Sequence, residues 1–337
     1  MAEIITMNHG SGGRISSNLI SNLFLKYFDN DIIKELTDSA ILNINKDLLA
    51  FTTDSYVIDP IFFPGGNIGK LAVCGTVNDL AVSGSIPLFL STSFIIEEGF
   101  DLKSLELIVR SMSDTAKQAN VKIVTGDTKV VPHGKCDKIF ITTAGIGILD
   151  EGKKNISFGK KVKAGDKIII NGSIGDHAIA ILSQRDIGSL SVNITSDCTP
   201  LNIFIQKCLE FCPEISFMRD ITRGGLAAIS GELSEKINLG IELFEDKIPI
   251  KESVLAVCEL TGFDPLSLAN EGKVLIVVPE NCADNLIKNM RNMPEGKEAA
   301  IIGTIVEHHP SKVVLHTNTG GKRLIEIPAG IQLPRIC

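Results

Sequence analysis

Between Asp47 and Leu149 the hydrophobic pattern switches period repeatedly, and that alternation constrains the fold more than any other feature. The run "DLLAFTTDSYVI" is rich in β-formers, "IGKLAVCGTVNDLAVSG" repeats its apolar residues at helical spacing, and "PLFLSTSFIIEE" is strand-forming again. In "DLKSLELIVRSMSDTAKQAN", Leu105, Ile108, Met112, Ala116 and Ala119 share one helix face. Two strands follow, "VKIVTGDTKVV" and "KIFITTAGIGIL", joined by the polar turn "PHGKCD". This βαβαββ order predicts a mixed sheet with helices packed on it, in the α+β class.

The segment "DEGKKNISFGKKVKAGD" breaks the pattern with glycines and lysines and reads as a solvated linker. A second α/β unit then opens with the strand, glycine turn and helix of "KIIINGSIGDHAIAIL". It continues through the helices "LNIFIQKCLEFC" and "DITRGGLAAISGELSEKI" and ends on the strands "SLANEGKVLIVVPE", "AAIIGTIVE", "KVVLHTN" and "KRLIEIP". The expected organisation is two mixed α/β domains, over residues 1–150 and 151–325, followed by a tail over 326–337. With 337 residues and 44% hydrophobic content, the chain has apolar material for two cores.

The tail sequence "EIPAGIQLPRIC" has two prolines, one glycine and no periodic apolar face, so it reads as a mobile arm. Ten extended residues reach roughly 30 Å. Cys337 is therefore set apart from the other cysteines, which are scattered without a Cys-x-x-Cys pair and read as small buried hydrophobes. A prenylation box would place its cysteine four residues from the end. The alternative to a working thiol is a terminal residue with no task.

Acidic residues outnumber basic ones, 40 to 33, for a net charge of −7, which argues against a nucleic-acid partner. Apolar runs are strand-sized and no basic leader precedes a long apolar stretch, so no membrane segment and a cytoplasmic location are expected.

Five aspartates stand beside small or hydroxyl residues where elements are expected to stop. They are Asp38 in "ELTDSA", Asp54 in "FTTDSYV", Asp79 in "TVNDLA", Asp127 in "VTGDTKVV" and Asp220 in "FMRDITRGG". Each reads either as a helix cap or turn residue, or as a hard oxygen ligand for Mg²⁺ beside a nucleotide. Glycine turns supply the other half of a phosphate site, because backbone without Cβ atoms brings its N–H groups close to anions. The candidates are "HGSGGR" (His9 to Arg14), "GSIGDHA" (Gly172 to Ala178) and "TRGGL" (Thr222 to Leu226); each is equally readable as a tight turn. No Walker A loop is present, since "GGNIGKL" is too short and lacks the hydroxyl residue. His9, His177, His308, His309 and His316 show no ligand spacing for zinc or iron.

Taken together, "HGSGG", "TDS", "VNDLA", "GDTKVV", "RDITRGGL", "NEGK" and the terminal "PRIC" resemble the HypE family of hydrogenase maturation factors, in the PurM-type superfamily of aminoimidazole ribonucleotide synthetase. The resemblance spans essentially the whole chain. It implies two PurM-type domains, the first binding ATP and forming a homodimer, and an ATP-dependent dehydratase for the cyanide ligand of [NiFe] hydrogenase. A HypF-type partner carbamoylates the Cys337 thiol, ATP activates the carbamoyl oxygen as a phosphate leaving group, and the resulting thiocyanate gives cyanide to iron on a HypC and HypD scaffold. By the same resemblance, Gly10, Ser11, Gly12, Gly13, Asn78 and Arg223 join Asp54, Asp79 and Asp127 in holding ATP. Asp38, Asp54, Asp79, Asp127 and Asp220 are implied to hold Mg²⁺. Glu271 in "NEGK" is the implied base, its alternative being a strand-start carboxylate paired to Lys273. Lys129 is placed to stabilise charge on the transferring phosphoryl group, and His133 is a further catalytic candidate or an exposed turn histidine. The competing reading is a small-molecule phosphotransferase of the same superfamily, of the thiamine-phosphate kinase or selenophosphate synthetase type. The selenium enzymes carry cysteine or selenocysteine in the N-terminal glycine loop, and "NHGSGG" has neither.

Overall fold

In the computed structural model the described residues are 13–19, 21–22, 33–37, 40–44, 47–185, 193–328 and 330. A short helix, α1 (Gly13–Leu19), comes first. The first sheet contains β1 (Ala40–Ile44), β2 (Asp47–Tyr56), β5 (Ile86–Glu97), β6 (Lys122–Val131) and β7 (Ile139–Leu149) in the order β1-β2-β7-β5-β6. Strands β5 and β6 run parallel and the other pairs antiparallel. A hairpin of β3 (Phe62–Phe63) and β4 (Gly66–Asn67) leads into helix α2 (Ile68–Val82), and α3 (Leu102–Gln118) connects β5 to β6.

Helix α2 starts where the Asn67 side chain accepts the amides of Gly69 and Lys70. Apart from Lys70 and Asp79, every residue of the helix is buried. A helix apolar on all sides belongs in an interior, and α2 lies between the first sheet, α3 and elements of the second half. Its small residues allow this fit: a Cβ on Gly75 would collide with the Tyr56 hydroxyl.

The second half is built on β8 (Lys167–Ile170), β9 (Phe217–Asp220), β10 (Gly240–Phe244), β11 (Val274–Val278), β12 (Ala300–Val306), β13 (Val313–His316) and β14 (Lys322–Ile325). Their order in the sheet is β14-β13-β10-β12-β8-β11-β9. Strand β11, "VLIVV", is buried at every position, as a strand covered on both faces must be. The helices are α4 (Asp176–Leu182), α5 (Asn202–Phe211), α6 (Gly225–Ile237), α7 (Glu252–Thr261) and α8 (Glu280–Met290).

The apolar clusters cross from one half to the other. Tyr56, Leu71 and Ile108 pack in one cluster with Ala178, Ile181 and Val254, while Ala81 and Val82 join Phe204, Leu209 and Met218. Ile156 of the connecting segment belongs to the latter, so that segment is anchored in the core instead of being a wholly solvated linker.

Two local expectations are corrected. Asp54 lies inside β2, Asp79 inside α2 and Asp127 inside β6, so these are not residues at element ends; Asp220 alone of the described four ends a strand. The helix expected from Asp220 begins at Gly225, because Phe217–Asp220 pairs with β11 and Gly224 and Gly225 both take positive φ. At Gly225 a Cβ would also strike the carbonyls of Leu266 and Leu268.

Asn78 ties the halves together. Its amide donates to the Thr199 carbonyl at 3.1 Å and to the Glu271 carbonyl at 3.4 Å, and its oxygen accepts the Leu201 amide at 2.7 Å. Replacing it with alanine leaves buried backbone groups without partners, which costs about 1–3 kcal/mol. Asn78→Ala should therefore lower the urea midpoint by a corresponding amount, and an unchanged midpoint would contradict the clamp.

Candidate active site

Asp79 is one of the two positions of α2 that are not buried, and its Oδ2 accepts the Thr52 hydroxyl at 2.9 Å. Asp54 is two residues further along β2, on the same strand face. From the second half come Asp220, at the end of β9, and Glu271, in the loop entering β11. Burial, the Cys198 thiol, and the charges of Asp197, Asp220 and Asp54 all push the Glu271 carboxyl well above the ordinary carboxylate range. Burial also raises the Tyr56 hydroxyl, and Asp54, Asp79 and Glu271 push it the same way. These groups therefore share one electrostatic neighbourhood at the seam between the sheets.

The loop carrying Glu271 is held from several sides. Asp197 accepts the amides of Glu271 at 3.1 Å and Gly272 at 3.2 Å and pairs with Lys273 Nζ at 3.1 Å. Burial pushes Asp197 up, but Lys273, His177 and the Glu271 amide outweigh it and hold the carboxyl below its usual range. Lys273 is thus the partner of Asp197, which overturns the alternative pairing of Glu271 with Lys273. Asn270 accepts the Gly175 amide and donates to the carbonyls of Ile221 and Leu268, while Asn171 donates to Gly272 and accepts from Val274. Buried His177 stands behind the strap, its Nδ1 2.7 Å from Ser196 Oγ. A carboxyl with a raised pKa on a braced loop is, once ionised, a stronger base than an ordinary carboxylate.

Other candidates lie elsewhere. The Asn78 side chain, expected among the nucleotide ligands, is engaged by backbone groups of residues 199, 201 and 271. The turn "GSIGDHA" gives its Ile174 and Gly175 amides to Pro249 and Asn270, and its Asp176 pairs with Lys251 at 2.6 Å, so it is a structural turn and not an anion cradle. Arg223 is exposed in the loop after Asp220. Asp127 aligns with Ser93, one row beyond the Thr92–Thr143–Asp54 row, and successive residues of a strand face opposite sides. Strand β6 is also three interstrand spacings from β2, about 14 Å. Lys129 pairs with Asp127 at 3.0 Å on that exposed edge, and His133 sits 3.3 Å from Glu97 in the β6–β7 turn. Within one chain, then, Asp127, Lys129 and His133 do not join the Glu271 cluster. Gly13 begins α1 with φ of 70°. Gly10, Ser11, Gly12, Asp38 and Cys337 lie outside the described residues.

The sequence reading missed Asp197, Asn171, Asn270 and Tyr56. Asn270 stood in the quoted "NEGK", but Asp197 sits in "TSDCTP", a run that reads as ordinary loop.

Comparison with known proteins agrees with this architecture. The model of AIR synthase related protein, N-terminal domain, matches residues 36–149, and that of its C-terminal domain matches 163–316. The carbamoyl dehydratase HypE of Escherichia coli strain K12 is 46% identical over 339 residues, covering 99% of both chains. The crystal structure of a HypE–HypF complex superimposes with a TM-score of 0.86 at 46% identity, covering 92% of this chain and 99% of that one. A HypE in complex with ATP gives 0.82 at 45%, covering 98% and 100%. Thiamine monophosphate kinase from Aquifex aeolicus shares the fold alone, at 17% identity and a TM-score of 0.64 over 92% of this chain and 99% of that one. The chain belongs to the AIR synthase related family, and within it to the HypE carbamoyl dehydratases.

Proposed function

We propose that this protein is an ATP-dependent carbamoyl dehydratase of [NiFe] hydrogenase maturation, with Cys337 as the carrier and Glu271 as the base. The observation that carries the reading is the Glu271 carboxyl, buried on a braced loop and raised by neighbouring carboxylates, in a chain of the HypE family. The domain division near residue 150 follows the two sheets on either side of it.

A HypF-type protein loads the Cys337 sulfur with a carbamoyl group. The carbamoyl oxygen attacks the γ-phosphorus of ATP and displaces ADP, then leaves carbon as phosphate, while the nitrogen loses both protons and becomes nitrile. Glu271 accepts one of these protons, the phosphate or solvent the other. Asp54, Asp79 and Asp220 bring hard oxygens to one seam, a donor set that fits Mg²⁺. When bound, the ion neutralises phosphate charge beside these carboxylates. The thiocyanate passes cyanide to iron on a HypC and HypD scaffold; parting as thiolate and cyanide takes two electrons, which the scaffold side must supply. Among the described residues all cysteines are free thiols, which suits a cytoplasmic setting.

Homodimerisation is supported by the open face of the first sheet, where Phe51, Phe89, Ile95, Ile146 and Ile148 are exposed. A contiguous apolar strip of this kind marks an association surface. A second copy docked there also brings its own Asp127 and Lys129 to that face.

Mass spectrometry of the C-terminal peptide, after incubation with a carbamoyl donor, HypF and Mg·ATP, tests the chemistry. The account expects a carbamoyl adduct and then a product lighter by one water, formation rising with pH above the usual carboxylate range because Glu271 must be ionised to act. Glu271→Gln should stop at the carbamoyl adduct with at least a hundredfold loss of rate, and Cys337→Ala should show neither species. Dehydration at the wild-type rate in Glu271→Gln, or ATP turnover unchanged in Cys337→Ala, would contradict these roles. For assembly, sedimentation should give twice the 36.3 kDa of one chain, falling to a single chain in Ile146→Asp; a wild-type protein already sedimenting as one chain would rule the dimer out.

A further inference from the structure

On the second sheet, β10 runs between β12 and β13, and Glu242 aligns with Thr304 on one side and Val314 on the other. His316 lies two residues past Val314 and so falls on the same face. His308 and His309 occupy the turn after β12, with His309 in the left-handed region at φ of 50°. The spacing of these histidines along the chain gives no ligand pattern, but the register brings them together. A single oxygen of Glu242, Oε1, is 3.1 Å from His308 Nε2, 3.4 Å from His309 Nε2 and 3.3 Å from His316 Nε2.

Three imidazoles thus turn the same ring nitrogen toward one carboxylate oxygen. An ion with bonds of about 2.0–2.1 Å to tetrahedral ligands separates those ligand atoms by roughly 3.3 Å, and the distances from Glu242 to His308 and His309 fall around that value. The ligand atoms of Glu242, His308 and His309 all lie within 4.8 Å of one another, a group to which His316 does not belong; its Nε2 is buried beside Glu242. The Phe244 ring lies 5.0 Å from the His316 ring and limits its rotation. Burial pushes the Glu242 carboxyl up, but the imidazoles outweigh it and bring the group down to about 2. Lys322 Nζ, 3.8 Å from the same oxygen, is the remaining cation at the site. Two imidazole nitrogens and one carboxylate form a donor set for borderline divalent ions and not for Mg²⁺ or Ca²⁺.

We propose that Glu242, His308 and His309 bind one divalent transition-metal ion of the zinc and nickel class, with water as the fourth ligand, clipping β10 and the β12–β13 turn together. The site is separate from the Glu271 cluster and does not depend on the dehydratase reading.

Cobalt(II) titration of the untagged full-length protein reads both affinity and donor type. Binding of one equivalent with the visible absorption of a four-coordinate ion and no sulfur charge-transfer band is expected. Zinc should displace the cobalt and raise the melting temperature. His309→Ala and Glu242→Gln should each weaken binding at least tenfold, and exposed His308→Ala supplies a third variant should either fail to fold by circular dichroism. Three outcomes would overturn the proposal. One is no saturable four-coordinate spectrum; another is affinity unchanged in folded variants. The third is a sulfur charge-transfer band that survives His308→Ala and His309→Ala, placing the ion on Cys337 or on the neighbouring Cys212, Glu214 and Cys282.

Discussion

The burial of helix α2 on all sides is the constraint on which the rest of the molecule depends. A helix with one apolar stripe would leave a wet face between the two sheets; this one is packed by the first sheet, by α3 and by the second half together. Its sequence carries the cost of that position in small residues, among them Gly69 against α3 and Gly75 against Tyr56. Polar groups on such a helix must be satisfied or functional. Asn78 is satisfied by three backbone partners, whereas Asp79, one residue on, reaches the carboxylate neighbourhood.

From that geometry follows the electrostatics of the seam. Burial, with the Cys198 thiol, Asp197, Asp220 and Asp54 nearby, raises the free energy of ionising Glu271. Asp197 is equally buried and escapes it, because Lys273 and two amides compensate its charge. Two neighbouring acids thus receive opposite shifts from their immediate partners. One of them holds the loop, and the other is left with the pKa of a base.

Much of the fold was legible in the chain because period is local. The strand and helix order of 47–149 and the closing strands appear close to where their apolar patterns place them. What was hidden was set by contacts distant in sequence. Strand β9 is short and takes its conformation from β11; without that pairing the strand is not seen and the helix reads as starting at Asp220. The aspartates read as element-end residues because their small neighbours resemble caps, yet Asp54, Asp79 and Asp127 sit inside regular elements. The carboxylate and hydroxyl motifs named Asp54, Asp79, Asp220 and Glu271, which share one electrostatic neighbourhood. They did not reveal that Asn78 clamps backbone, that Lys273 belongs to Asp197, or that three histidines meet at Glu242, since each depends on packing or register between remote segments.

The central claim is that burial, with the Cys198 thiol and the carboxylates at the seam, raises the Glu271 carboxyl above the ordinary carboxylate range. Carbon-13 NMR of protein labelled at the glutamate carboxyl carbon, with Glu271→Gln supplying the assignment, measures this directly. The account predicts a Glu271 signal that titrates above the ordinary carboxylate range and moves to lower pH when Mg²⁺ is added. A Glu271 signal titrating with the exposed glutamates, and indifferent to the metal, would contradict it.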